Sequence, residues 1–410
     1  MSYKEIYALP DVKRLILTSI PGRAAYGMLS LSTFFYVHEA TGSVATAGLA
    51  TGIESLIGSF TAGPRGHLID RFGQTKPISI LAPLWVSVIF AMSFVHSTTG
   101  LLIVSGLIGL CSPPINLSIR PLWRLAVGPE RLRNAYSIDT TIMNATFVLG
   151  PVMATWISVH IGPKESLWIT ATFMAIGAGL LLSMPLSRRW IPEPTSGGSM
   201  QLWKHIPFVI MAFEGFIFGL GWGFLDISIP ATATLNKNPA MSAWLLGILT
   251  GTSILAGLIV SVRKSKTAPL VAFRRASFTV ALSTLPLAFV DFGWQLGLVL
   301  AGLGFAIGFA QIYHMEVLEA VRPKGTATSA QAWLWTVEGS TLAIGVASGG
   351  WVVEHHGTKL AMMFVTLALC ISTAYIIFFA SPRLQAANRP LSDTEVSEAV
   401  SNFEATLEPN

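Results

Sequence analysis

The sequence predicts an all-α membrane protein, with twelve transmembrane helices in two pseudo-symmetric six-helix halves. Three observations predict it. Only 11% of the 410 residues are charged and the mean hydropathy is +0.61, whereas soluble domains carry about 25% charged residues. A soluble chain of this length cannot solvate its surface with so few charges. Apolar runs of about 20 residues recur, each long enough to cross a hydrocarbon core of roughly 30 Å as a helix. Finally, a shift of 195 residues lays the second half on the first. It places Gly52 on Gly247, Leu101 on Leu296, Gly109 on Gly304, Asn116 on Gln311, Gly150 on Gly345, His160 on His355 and Gly162 on Gly357.

The first half, residues 1–187, holds candidate spans at 15–37, 43–64, 77–95, 100–123, 134–158 and 166–187. A Pro-, Gly- and Ser-containing linker, 188–203, leads to the second half, 204–381. Its spans are 207–229, 240–262, 274–290, 294–316, 328–352 and 360–380. Short connections predict antiparallel neighbours. The tail, 382–410, is polar and acidic, with Asp393, Glu395, Glu398, Glu404 and Glu408, and reads as a cytoplasmic extension. The first apolar run, from about Leu15, is longer than the core of a cleavable signal.

Orientation follows from Lys and Arg. Of the 26 such residues, 21 fall in segments that are cytoplasmic if the N-terminus is inside. Three (Lys164, Lys237 and Lys359) fall outside, and Arg23 and Arg120 lie within spans. Both termini are therefore expected in the cytoplasm of a multi-pass cell-membrane protein. The positive charge is spread over seven segments, which argues against a nucleic-acid partner. The two cysteines, Cys111 and Cys370, sit inside apolar runs, so neither a disulfide framework nor a zinc site is expected. No nucleophile–base set, nucleotide loop or metal cluster stands out. The chain reads as a non-enzyme without metal or cofactor, and as a monomer in the lipid bilayer.

"GHLIDRFG", Gly66 to Gly73, packs charge between two apolar runs. It resembles the loop between helices 2 and 3 of the major facilitator superfamily, G-x-L-x-D-R-x-G, at Gly66, Leu68, Asp70, Arg71 and Gly73. Gln74 and Thr75 stand where that family prefers basic residues. The resemblance implies a tight reversal at the glycines. It also implies that Asp70 bonds the cytoplasmic start of helix 11 and locks the outward-facing state. "FVLGPVMAT", from Phe147, resembles the family's helix-5 antiporter pattern at Gly150 and Pro151, and ordinary small-residue packing explains it equally. "PPINLSIRPLW" with "PERLRNAYSID" resembles helices 4 and 5 of bacterial efflux-type members.

Ionisable residues inside a membrane are costly and mark function. Here they are Arg23, Glu54, Arg120, Asp139, Glu214, Asp226, His314, Glu316 and Glu338. None falls on spans 3, 6, 9 or 12, the four that the resemblance places against lipid. Glu54 and Glu338 lie nearest their span centres. The family places helices 2 and 11 against each other beside helix 1, which suggests a trio of Arg23, Glu54 and Glu338. Burial disfavours the ionised carboxyls while the guanidinium favours them, so the trio either carries a coupling proton or is a structural ion pair. Arg120 and Asp139 are read as a gating or structural pair. Glu214 is expected to face the central cavity, with Asp226 near the outer mouth and His314 near the inner end, the last two solvated. Glu316 is expected solvated beside Glu319. Asn116 and Gln311 are repeat-related candidates. Trp222, with Trp244, Trp333 and Trp335, suits an amphipathic or aromatic solute. The resemblance implies a secondary transporter working by alternating access, with a proton-coupled exporter of a small amphipathic compound as the leading form. The alternatives are uptake of a small anionic solute, liganded by Arg23 and Arg120, and a transport-inactive receptor or scaffold.

Overall fold

A computed structural model describes residues 9–127, 132–190, 202–262, 267–290, 292–323 and 327–387. Most of the 188–203 linker and of the acidic tail lies outside these residues. So do the side chains of Asp70 and Arg120. The described residues are helical, with no strand among them. In chain order the helices are α1 (Pro10–Thr41), α2 (Val44–Phe72), α3 (Thr75–Met92), α4 (Thr98–Cys111), α5 (Ile115–Val127), α6 (Leu132–His160), α7 (Pro163–Ser183) and the short α8 (Pro185–Arg189). There follow α9 (Ile206–Leu235), α10 (Ala240–Val262), α11 (Pro269–Thr284), α12 (Trp294–Val321), α13 (Ala327–His356) and α14 (Thr358–Ala374).

Among the described residues, six stretches are long and apolar enough to cross a membrane: Thr75–Met92, Pro163–Ser183, Ile206–Leu235, Ala240–Gly257, Trp294–Val321 and Thr358–Arg383. Three of the other expected spans, the first, second and fourth, fall short for physical reasons. Charged residues dilute α1 and α2, which hold Arg14, Arg23, Glu54, Arg65, Asp70 and Arg71. The expected fourth span is two helices, because Pro113 and Pro114 remove consecutive backbone donors and end α4 at Cys111. Side chains cover the carbonyls freed there: Arg65 donates to the Ser112 carbonyl and the Tyr26 hydroxyl to that of Pro113.

The charged motif is likewise helical where a loop was expected. α2 runs through Gly66 and Arg71 and ends at Phe72. Only Gly73 makes the reversal, with φ 75°, a conformation that favours glycine. Gln74 then faces inward. Its amide donates to the Ser118 carbonyl at 2.9 Å, and the Ser187 hydroxyl donates to its Oε1 at 3.2 Å. A buried bridge between α5 and α8 therefore replaces the basic residue of the family pattern.

Two compact units emerge, residues 1–195 with 233–247, and 196–232 with 248–410. In the first, α1 packs on α6 and α7. A Cβ on Gly150 would lie 2.5 Å from the Gly27 carbonyl carbon, and one on Gly177 2.4 Å from the Gly22 nitrogen. In the second unit α9 meets α13 in the same way, since a Cβ on Gly345 would lie 2.3 Å from the Leu220 carbonyl oxygen. The 195-residue register extends to fine detail. The Trp156 and His160 rings stack at 5.0 Å, and those of Trp351 and His355 at 4.8 Å. A Cβ on Gly109 would strike the Glu54 carbonyl oxygen, and one on Gly304 that of Leu249.

Candidate functional site

Among the described residues, each unit buries a cluster of ionisable side chains, and the first also buries a separate acid, Glu54. In the first, Arg23 of α1 is 1% exposed. Its guanidinium meets Asp139 of α6 at 2.7 Å. It also donates to Asn116 Oδ1 at 3.2 Å and to the Asp139 carbonyl at 3.3 Å. The Trp123 indole donates to Asp139 Oδ1 at 2.7 Å. A buried ion pair is tolerable only when well matched and further hydrogen bonded, and this one is. Glu54 of α2, also buried, accepts from the Thr33 hydroxyl at 2.9 Å.

One expectation is corrected here. Arg23 does not hold Glu54, because its donors are taken by Asp139 and Asn116. Asp139, read as the partner of Arg120, is bound by Arg23 and Trp123; the Arg120 half of that expectation lies outside the described residues. Sequence spacing could not reveal this, since Arg23 and Asp139 are 116 residues apart and only the packing of α1 on α6 joins them. The close approach at Gly27 and Gly150 lies one turn and three turns from the respective charged residues, so the glycines bring the two helices near enough for the pair.

In the second unit five helices converge. His314 of α12 stands between two acids. Its Nε2 lies 3.2 Å from Glu214 Oε2 on α9, and its Nδ1 lies 3.8 Å from Glu338 Oε1 on α13. The Ser372 hydroxyl of α14 donates to Glu214 Oε1 at 2.8 Å. Phe273 of α11 stacks on the imidazole at 5.3 Å. Glu214 Oε2 and His314 Nε2 are both buried without a well-aligned hydrogen bond. Among the described residues no Lys or Arg pairs with either acid. His314 and Glu214, expected as a solvated and a cavity-facing residue, are buried together, because Phe273 and Ser372 close over them. Two carboxylates with one imidazolium still sum to −1, so the buried cluster needs a further proton, or another cation, to be neutral.

The remaining candidates stand apart. Trp222 is half-buried and stacks on Phe218 at 6.1 Å. Asp226 is half-buried, as is Glu316, while Gln311, Arg71, Trp244, Trp333 and Trp335 are exposed. Gly150 is a packing contact, and α6 continues through Pro151. The sequence reading missed Trp123, Thr33 and Ser372. They are neutral, and none stands out in an apolar run.

Residues 15–346 match the family model of the Major Facilitator Superfamily. The chain belongs to that superfamily. It is a transporter and a multi-pass membrane protein, not an enzyme. One curated superfamily relative, the uncharacterized MFS-type transporter y4rN of Sinorhizobium fredii, is 24% identical over 336 residues, covering 74% of this chain and 79% of that protein. Solved superfamily structures share the fold. The nucleoside transporter NupG aligns with TM-score 0.70 and 16% identity over 92% of this chain and 99% of that one. The human organic anion transporter MFSD10 (TETRAN) aligns with TM-score 0.65 and 12% identity over 90% and 99%.

Proposed function

We propose that this protein is a proton-coupled secondary transporter that exports a small amphipathic compound by alternating access, with the coupling site at Glu214, His314 and Glu338. The observation that carries the proposal is the imidazole held between two acids with no basic counter-ion among the described residues. A charge kept inside a membrane without a partner costs about 3 kcal/mol on insertion scales. The cluster is therefore neutral when closed and sheds a proton when opened to water. His314 can pass that proton between the acids, since each ring nitrogen faces one carboxylate.

The Arg23–Asp139 centre is already neutral and supplies no such change, which disfavours Arg23 as a ligand for an anionic solute. Export rests on the resemblance of the Gly150–Pro151 stretch to antiporters. The same reading takes α1, α2, α3, α4 with α5, α6, α7 and α9 to α14 as twelve spans, with both termini cytoplasmic. Asp70 acts there as the gating acid.

The test uses purified protein in proteoliposomes and a panel of cationic, neutral and anionic amphipathic dyes, under pH gradients of either sign. An acidic lumen should drive dye inward by antiport, whereas an acidic exterior would drive it by symport. Glu214→Gln and Glu338→Gln should each lose gradient-driven accumulation and keep dye exchange. If both variants still accumulate dye as the wild type does, coupling lies elsewhere. If an acidic exterior alone drives entry, the protein is an uptake symporter.

A further inference from the structure

α9 has two unlike faces. At 3.6 residues per turn, Ile206, Val209, Phe213 and Phe216 form one stripe, and all four are exposed. That stripe suits lipid. Glu214, Phe218, Trp222 and Asp226 recur every fourth residue and lie on the other side of the helix. Glu214 is buried there, and the other three are half-buried. The Phe218 and Trp222 rings stack, with centroids 6.1 Å apart and planes 15° from parallel. Asp226 has no hydrogen-bond or ion-pair partner among the described residues. Glu338 of α13 stands beside the same face, since its Cγ lies 3.0 Å from where a Gly215 Cβ would be, and its side chain is 22% exposed.

We propose that this face binds an organic cation with an aromatic or apolar body. The inference rests on the transport reading above and names its substrate class. The stacked pair offers a π surface, which attracts a cation and an apolar ring alike. Asp226 supplies the counter-charge, and a bound cation neutralises an acid with which no described side chain pairs. Glu338 of the coupling cluster stands against Gly215, about 16 Å along the helix axis from Asp226 at 1.5 Å per residue, so a cation arriving at Asp226 disfavours the coupling proton through its field. That is the sign of coupling that antiport of a cation requires. An organic anion would meet Asp226 and Glu338 with no basic side chain on the face.

Two ions of nearly equal size and shape but opposite charge decide the matter: tetraphenylphosphonium and tetraphenylborate. Their binding to the full chain in nanodiscs would be measured with empty nanodiscs subtracted. The cation should bind at least about tenfold more tightly than the anion. Asp226→Asn should weaken cation binding by about tenfold and leave the melting profile of the free protein unchanged. Asp226→Glu should retain binding, and Trp222→Ala should lose more affinity than Trp222→Phe. Equal binding of the two ions, or an Asp226→Asn protein that binds the cation like the wild type, overturns the proposal. Its failure is distinct from failure of the transport reading. Gradient-driven movement of anionic dyes, without phosphonium binding, would keep the transporter and discard the cation. Tight, Asp226-dependent phosphonium binding with no gradient-driven movement of any dye would do the reverse.

Discussion

Arg23 with Asp139 and Glu214 with His314 and Glu338 are built on one repeated scaffold but on different rows of it. Shifted by 195 residues, Arg23 falls on Phe218 and Asp139 on Leu334. Taken the other way, Glu214 falls on Ser19, His314 on Ile119 and Glu338 on Met143. Wherever one unit buries a charge, the other has an uncharged residue. The packing contacts do repeat, at Gly150 with Gly345 and at Gly109 with Gly304. The backbone frame is therefore common to the two units, whereas the electrostatics belong to each alone. The first centre is a matched pair with its hydrogen bonds made. The second lacks one positive charge, and a site of that kind can exchange a proton.

The largest effect should come from breaking the matched pair. Arg23→Met leaves Asp139 buried beside an apolar side chain, and losing one partner of a buried pair costs about 3–5 kcal/mol. Intrinsic-fluorescence melting of the purified protein should show a large destabilisation. Arg23→Met with Asp139→Leu should recover most of it, because no orphan charge remains. If the double variant is no more stable than the single one, Arg23 does more than neutralise Asp139, and the contrast between the centres weakens.

That pair also marks where sequence reading ended. The helical membrane class, the 195-residue register and the superfamily motif are all visible in composition and spacing. The buried acids were visible one at a time, as charges in apolar runs. Their pairing was not. Glu54 and Asp139 are both buried acids of the same unit, and Arg23 meets Asp139 because glycines let α1 approach α6. His314 seemed near a span end because the apolar run stops there. In the fold α12 continues to Val321, so the residue is well inside the helix. The Gly66–Gly73 motif suggests a loop because its charges do, yet tertiary packing carries α2 through Gly66, His67 and Asp70 to Phe72, and only Gly73 leaves the helix.

The common frame can be probed through its glycines, with a smaller effect. Gly150→Ala forces a Cβ to within 2.5 Å of the Gly27 backbone, and Gly345→Ala to within 2.3 Å of the Leu220 carbonyl oxygen. Backbone cannot swing aside as a side chain can, so each should cost about 1–3 kcal/mol as overpacking. Gly179→Ala, on α7 with nothing within 4 Å of its Cβ, should be neutral or slightly stabilising. Comparable losses at Gly150 and Gly345 would sharpen the claim that packing repeats while charge does not. A loss at one and none at the other would break it.

The smallest effect concerns Gln74, which has no counterpart in the second unit. Its repeat position is Pro269, the first residue of α11, which has neither an amide side chain nor a backbone donor. Gln74 is 1% exposed and joins the start of α3 to Ser118 of α5 and Ser187 of α8. Gln74→Ala removes one donor and one acceptor. The Ser187 hydroxyl can turn to another acceptor, and the Ser118 carbonyl belongs to a helix that already offers it a partner. The net loss should therefore be about 1 kcal/mol, the usual worth of a single hydrogen bond. Gln74→Arg would restore the basic residue of the superfamily pattern, yet here it would bring a charge into a buried bridge. It should be less stable than Gln74→Ala in the same melting assay. If the arginine variant melts at or above the wild type, the side chain escapes to water. The bridge would then be an accident of packing and not a tie peculiar to the first unit.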